Sequence, residues 1–232
     1  MSSAQFVRAL SELNLDNTFN PYSDRCVVHD LPDAPERRAQ ALLDMLESAA
    51  GKRVHSMWIG RDPGYRGARR TGLALTDDSH IAAHTERWDM SMQRPTRGNV
   101  VVERTATITW RVLSRLDMPI FLWNVFPLHP HEPGEPFSNR RHNSVERGIG
   151  EYFLDQLLLL LSPCRLVAIG NDAAYSARRL ADATLEVVQV RHPSYGGQQQ
   201  FISQMHDLYG INSEENEPCN ATLFGSEEPN PY

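Results

Sequence analysis

Four short apolar segments alternate with segments of helical pattern, and this alternation constrains the fold more than any other feature of the sequence. The apolar segments cover residues 54–59, 120–125, 166–169 and 185–190. Helical spacing and terminal turn formers predict helices over 3–13, 35–50, 103–116, 144–161, 171–181 and 198–209, with Ser144 as the N-cap of the fourth. Strands that alternate with helices form parallel sheets covered on both faces. We therefore expect a three-layer αβα sandwich with a mainly parallel four-stranded central sheet.

Length and composition fit one domain in a reducing compartment. The 232 residues, 41% of them hydrophobic, can fill one core. Residues 212–232 contain glutamates and no basic residue, which predicts an acidic, disordered tail after a domain at 1–211. Three widely spaced cysteines argue against disulfides, zinc and iron–sulfur ligation. The first ten residues lack a signal-peptide pattern and no apolar run could span a bilayer, so we expect a cytoplasmic protein with no membrane contact.

Three of the predicted strands end at polar side chains that a buried strand does not require. Asp62 follows the first, Asn124 ends the second and His192 follows the fourth. Because the carboxyl ends of parallel strands share one edge of a sheet, these side chains can converge on one cleft. There a carboxylate can orient water, an amide can bind a planar heterocycle and an imidazole can donate to a developing oxyanion. Each residue also has a structural alternative, as a turn former, a cap or a partner of a backbone carbonyl.

These residues stand in three motifs that together resemble the uracil-DNA glycosylase superfamily. Gly-Arg-Asp-Pro at 60–63 is followed, after eight residues, by Gly-Leu-Ala-Leu at 72–75. This pair is similar to the water-activating motif, which opens with Gly-Gln-Asp-Pro-Tyr-His and closes with Gly-Leu-Cys-Phe in the best-known branch. The strand ending in Asn124 resembles the pyrimidine-reading strand, and Arg-His-Pro-Ser at 191–194 resembles the DNA-intercalating motif. The joint match is specific, although each four-residue match alone is weak.

The resemblance implies a monofunctional DNA glycosylase that hydrolyses the N-glycosidic bond of uracil, or of a related deaminated base, in base-excision repair. The nucleotide would be flipped out of the duplex. Asp62 would position the hydrolytic water, His192 would donate to the leaving base, and Asn124 would bind the base edge. Further base contacts are implied for Gly60, Arg61, Gly64, Tyr65 and Leu75. DNA contacts are expected from Arg66, Arg69, Arg70, Arg140, Ser194, Tyr195 and Gly196, with Tyr195 as a candidate wedge. The expected partner is DNA, the expected oligomeric state is a monomer, and no metal or other cofactor is implied.

Two departures from the superfamily pattern bear on substrate choice. Gly64 replaces the tyrosine that blocks the thymine methyl group in the best-known branch. Leu75 replaces the aromatic ring that stacks on uracil, which leaves Tyr65, Trp123 and Phe126 as stacking candidates. The chain has too few cysteines for the iron–sulfur branches, and its loop over 126–141 is longer than expected for the best-known branch. These features indicate a separate bacterial branch.

Alternatives remain open at the level of function and of metal binding. A module of the same fold that binds a base or an abasic site without cleaving is compatible with Gly64 and Leu75. A small-molecule hydrolase or nucleotide-binding protein is disfavoured, because no phosphate-loop lysine or Gly-x-Gly-x-x-Gly follows the first strand. His129, His131 and His142 lie close in sequence, but no carboxylate or cysteine spacing typical of a metal site accompanies them.

Overall fold

The computed structural model describes residues 1–194 and 196–211. The elements in chain order are α1 (Ser3–Ser11), β1 (Thr18–Phe19), α2 (Ala34–Ala50), β2 (Ser56–Gly60), α3 (Ala68–Thr71), α4 (Ile81–Glu86), α5 (Arg104–Leu113), β3 (Ile120–Asn124), β4 (His129–Pro130), α6 (Ser144–Leu161), β5 (Arg165–Ile169), α7 (Asn171–Leu180), β6 (Glu186–Val190) and α8 (Gln198–Tyr209). The predicted tail at 212–232 lies outside the described residues, as does Tyr195.

The central sheet has the strand order β3-β2-β5-β6, and every neighbouring pair is parallel. Its register pairs Gly60 with Asn124 and Ile169 with Val190. The carboxyl ends of the four strands therefore lie along one edge of the sheet. The short strands β1 and β4 form a separate antiparallel ribbon. The predicted four-stranded parallel sheet is confirmed.

Alternate residues of each strand face two separate cores, as the period of a strand requires. On β2, Met57 and Ile59 pack in one core with residues of α1, α2, α6 and α7. Trp58 packs in the other with residues of α5 and α8. This arrangement confirms the three-layer sandwich and explains why the strands are apolar on both faces. Within the described part of the chain, no helix is both long enough and apolar enough to cross a membrane.

The start of α6 differs from the sequence-based expectation. The prediction that Ser144 caps this helix is wrong, because Asn143 is the N-cap. The Asn143 side chain accepts from the backbone N–H groups of Val145 and Glu146, and the Glu146 carboxylate accepts from the N–H of Asn143 at 2.7 Å. This capping box fixes the chain directly after His142.

Candidate active site

A cavity of about 540 Å³ lies at the carboxyl edge of the sheet. Neighbouring strands are about 4.8 Å apart, so the three gaps between four strands make this edge about 14 Å long. Among the predicted site residues, those that line the cavity are Gly60, Arg61, Asp62, Gly64, Leu75, Asn124, Arg140, His192 and Ser194. The three polar strand ends therefore converge on one cavity.

Asn124 brings a side-chain amide to the cavity, at the end of β3. The residue is 3% exposed, and its buried Oδ1 has no hydrogen-bond partner among the described residues. A Cβ at Gly60, on the paired strand, would lie 2.7 Å from this oxygen. A side chain at position 60 would therefore displace the Asn124 amide, and glycine avoids this contact. A buried amide without a partner is unfavourable by about 1–3 kcal/mol, which a ligand with a complementary edge can offset.

His192 is held as a neutral imidazole with a defined tautomer. Its Nδ1 accepts from the backbone N–H of Ser194 at 3.2 Å and lies 2.7 Å from the Ser194 hydroxyl. The ring proton is therefore on Nε2, which has no partner among the described residues and is available to a ligand. Burial lowers the pKa of His192 below its usual value, and the cations Arg61 and Arg191 lower it further. A Cβ at Gly170, where φ is +92°, would lie 3.3 Å from the His192 Cβ, so glycine there permits the close approach.

Asp62 is almost fully buried, with 5% of its side chain exposed, and each carboxylate oxygen holds a partner. Oδ2 accepts from the Nε of Arg61 at 2.7 Å, and Oδ1 accepts from the Nδ1 of His142 at 2.5 Å. The Nε2 of His142 in turn accepts from the Nε of Arg147 at 3.4 Å. Because Nε2 accepts, the ring proton of a neutral His142 lies on Nδ1, directed at the carboxylate. The side chain of His142 is 1% exposed, so the pair is shielded from solvent.

Sequence reasoning missed the pairing of His142 with Asp62. In the sequence, His142 stands out only as one of three neighbouring histidines, for which a metal site is disfavoured. The structure places His142 on Asp62, whereas the Nε2 of His129 lies 2.9 Å from the carbonyl oxygen of Ser138. Within the described residues, no group of three or more His, Cys, Asp or Glu side chains has the arrangement of a metal site. The one sequence signal for His142 is the capping box that follows it, which anchors the end of the loop.

Arg61 and Arg141 share a second carboxylate at the cavity rim. Arg61 lies 3.5 Å from Asp172 through Nη1, and Arg141 bonds the other oxygen of Asp172. Asp172 is in the first turn of α7, where the helix dipole favours a negative charge. Arg61 thus links the two carboxylates and is held in place at the mouth of the cavity.

Two of the arginines predicted to contact DNA are interior residues. Arg70 is 4% exposed and bonds Asp78 through Nη2 at 2.7 Å and Nε at 3.1 Å. Arg69 is 3% exposed, and its guanidinium lies 4.0 Å from the ring centroid of Phe19 and 5.0 Å from that of Phe137. Neither guanidinium can reach a phosphate outside, so this part of the prediction is corrected. Arg66 is exposed and stays a predicted DNA contact.

Arg140 lines the cavity, and its guanidinium is also hydrogen-bonded within the protein. Its Nη1 and Nη2 bond the Glu146 carboxylate at 2.7 and 2.6 Å, and its Nε donates to the His131 carbonyl at 2.9 Å. The hydrogen bonds that Arg140 donates to Glu146 raise the pKa of Arg140. These hydrogen bonds hold the loop against the start of α6. Because Arg140 also lines the cavity, it stays a predicted DNA contact.

The predicted stacking residues lie away from the cavity or do not present a ring to it. Trp123 and Phe126 are 2% and 0% exposed within the larger core. Tyr65 does not line the cavity; its backbone N–H donates to the Asn139 Oδ1 at 2.9 Å. The apolar wall is formed by Leu75 and by Ile169 at the end of β5. A planar ligand would therefore contact aliphatic side chains.

Comparison with solved structures relates this architecture to known proteins. The structure resembles SMUG2 of Pedobacter heparinus with a TM-score of 0.61 over 90% of this chain and 97% of that one, at 13% identity. The chain has a uracil-DNA glycosylase-like fold. At 13% identity the likeness is one of fold, and the superfamily resemblance seen in the sequence is confirmed at that level.

Two further solved structures match with lower TM-scores. A mimivirus UNG variant in complex with UGI matches at a TM-score of 0.41 and 12% identity, over 69% of this chain and 57% of that one. A UNG variant from Nitratifractor salsuginis matches at a TM-score of 0.41 and 16% identity, over 90% of this chain and 96% of that one. The sequence matches no protein-family model and no curated protein.

Proposed function

We propose that the protein is a monofunctional DNA glycosylase that hydrolyses the N-glycosidic bond of uracil in DNA and leaves an abasic site. The observation that carries the proposal is the convergence of Asp62, Asn124 and His192 on one cavity at the carboxyl edge of the sheet. The uracil-DNA glycosylase fold supports it. We further propose that the protein acts as a monomer in base-excision repair in the cytoplasm.

Asp62 and His192 have different roles in the proposed hydrolysis. Asp62 orients a water molecule toward C1′ of the deoxyribose and accepts its proton as the new C–O bond forms. The bond between C1′ and N1 breaks, and its electron pair leaves with the base. The Nε2–H of His192 donates to the O2 of the departing uracil anion, which requires a neutral imidazole. The depressed pKa of His192 keeps that form populated in mildly acidic solution.

In this proposal Asn124 and the aliphatic wall of the cavity bind the base. An amide can donate to one carbonyl of uracil and accept from its N3–H, which is the complementary edge. The free Oδ1 of Asn124 supplies the acceptor. Leu75 and Ile169 supply apolar contact to the ring faces. Leu75 holds its position with φ at +54°, a conformation that a non-glycine residue seldom adopts.

One observation favours a second candidate, a module that binds a flipped base or an abasic site without cleaving. Both oxygens of Asp62 already hold protein partners, Arg61 and His142. A carboxylate offers about four lone-pair positions, so water can still bind. If these partners hold Asp62 away from C1′, the cavity binds without catalysis.

A strand-cleavage assay separates the two candidates. Uracil-containing single-stranded and double-stranded oligonucleotides are incubated with the protein and treated with alkali, which cleaves abasic sites. A glycosylase yields cleavage that depends on uracil. A binding module yields a complex without cleavage, and the absence of both refutes both candidates.

A further inference from the structure

The helix that begins at the cavity carries an exposed strip of polar, aromatic and basic side chains. On α7, residues 173, 174, 176 and 177 are buried, and the exposed positions are Asn171, Tyr175, Arg178 and Arg179. Asn171, Tyr175 and Arg178 are spaced four and three residues apart, so they share one helix face. At 1.5 Å per residue, the strip extends about 12 Å from Asn171 to Arg179.

This strip is continuous with the cavity. Asn171 lines both the cavity and a second, open depression of about 400 Å³, which is otherwise lined by Tyr175, Arg178, Arg179 and Gln189. A chain molecule with one unit in the cavity can therefore place its next units in the depression.

The chemistry of the depression fits a sugar–phosphate strand. Tyr175 is 50% exposed, and the guanidiniums of Arg147 and Arg179 lie 5.2 and 5.6 Å from its ring centroid. Among the described residues, Arg147 and Arg178 have no carboxylate partner, because Arg147 bonds His142 and Arg178 bonds the Gln189 amide at 2.7 Å. Arg179 is paired with Glu151 at 3.3 Å. Around the depression, Arg147 and Arg178 thus keep a positive charge that no carboxylate of the described residues neutralises.

Aromatic and arginine side chains together form sites for single-stranded nucleic acid, in which guanidiniums bind phosphates and rings contact bases or sugars. We infer that Tyr175, Arg147, Arg178 and Arg179 form a DNA-strand subsite on α7 that holds the nucleotides adjoining the one in the cavity. The inference rests on the proposed function, since it requires DNA at the cavity. It assigns a role to four residues for which the sequence motifs predicted none.

Binding measurements test the subsite without base release. The ligands are fluorescein-labelled DNA strands that carry a tetrahydrofuran abasic analogue, in a long form and in a short form that ends next to the analogue. We expect Tyr175→Ala to weaken binding of the long strand about fivefold or more, while Tyr175→Phe, which keeps the ring, binds as the parent does. We expect Arg178→Gln to lower the slope of log K against log salt by about 0.7 on a single strand. Neither substitution should affect the short strand.

A matched control is available at the opposite edge of the sheet. Arg53 is exposed, precedes β2 at its amino end, and bonds Cys164 at 3.7 Å rather than a carboxylate. Arg53→Gln should leave the affinity and the salt slope unchanged. Arg178 is preferred to Arg179 for the test, because loss of Arg179 would leave the buried Glu151 without its cation.

The outcomes separate this inference from the proposed function. If the long strand binds Tyr175→Ala and Arg178→Gln with the parent's affinity and salt slope, or if the parent binds neither single-stranded nor duplex DNA, the subsite is refuted. If the substitutions weaken binding but the parent releases no uracil, the subsite stands and the glycosylase proposal fails. If the parent releases uracil and the substitutions do not change DNA binding, the glycosylase proposal stands and the subsite is refuted.

Discussion

Replacement of His142 tests how the protein holds Asp62, the carboxylate that we propose to be catalytic. In the structure the Nδ1–H of His142 is the sole donor to the Oδ1 of Asp62 among the described residues, at 2.5 Å in a buried site. His142→Leu removes this donor and fills similar space. A hydrogen bond to a charged group contributes about 1.5–3 kcal/mol, so if the bond is needed to hold Asp62 in the transition-state geometry, base release should slow about 10- to 150-fold.

The assay for His142 is single-turnover base release, with DNA binding measured separately. We expect the loss in the rate of the chemical step rather than in affinity, because His142 does not line the cavity. His142→Asn can place an amide N–H near the position of Nδ1 and should recover much of the rate. Thermal unfolding of both variants controls for folding. Parental rates for a folded His142→Leu, or equal losses in both variants, would refute the positioning role.

Three further predictions concern the pocket, its histidine and acid stability. A Cβ at Gly64 would meet no atom within 4 Å, so the variant Gly64→Tyr should fold. In competition assays this variant should prefer uracil over 5-substituted uracils about tenfold more strongly, or better, than the parent does. An unchanged preference would contradict this expectation. Arg191 helps to lower the pKa of His192, and the proposed mechanism requires the neutral ring. Activity should therefore fall only as the pH drops through that lowered pKa, and Arg191→Gln should move this acid limb of the pH profile to higher pH. A limb that stays in place counts against the proposed role of His192. Burial lowers the pKa of His84 and of His129 to about 3 from 6.5, so between these values the unfolded chain binds more protons than the folded one. The free energy of unfolding should therefore fall as the pH drops below 6.5, by up to roughly 3 kcal/mol per pH unit from the two residues. Urea titrations at several pH values measure this fall, and a flat profile would refute it.

The sheet and the convergence of the strand ends could be predicted from the sequence because both follow from local patterns. Apolar runs that stop at turn formers indicate strands, and parallel strands place their carboxyl ends together. Asp62, Asn124 and His192 each lie at or within two residues of a strand end, so the sheet alone determines their neighbourhood. No information from distant loops is needed.

The pairing of His142 and the burial of Arg69 and Arg70 could not be predicted in this way. His142 reaches Asp62 from a loop 80 positions further along the chain, and the conformation of that loop leaves no periodic signal. The arginines of the glycine-rich loop look exposed in sequence, but α3 turns them inward onto Phe19 and Asp78. A helix of four residues is too short to be detected by periodicity. Contacts of this kind depend on tertiary packing rather than on local pattern.

The most direct test of the account compares single-turnover uracil release by the parent protein and by Asp62→Asn, with DNA affinity measured in parallel. The substitution keeps the shape of the side chain and removes the carboxylate that we propose to accept the proton of the water. We predict uracil release by the parent and a rate about 10²- to 10⁴-fold lower for the variant, at nearly unchanged affinity. Release at the parental rate by Asp62→Asn, or no release by the parent, would contradict the proposal that this cavity hydrolyses the glycosidic bond.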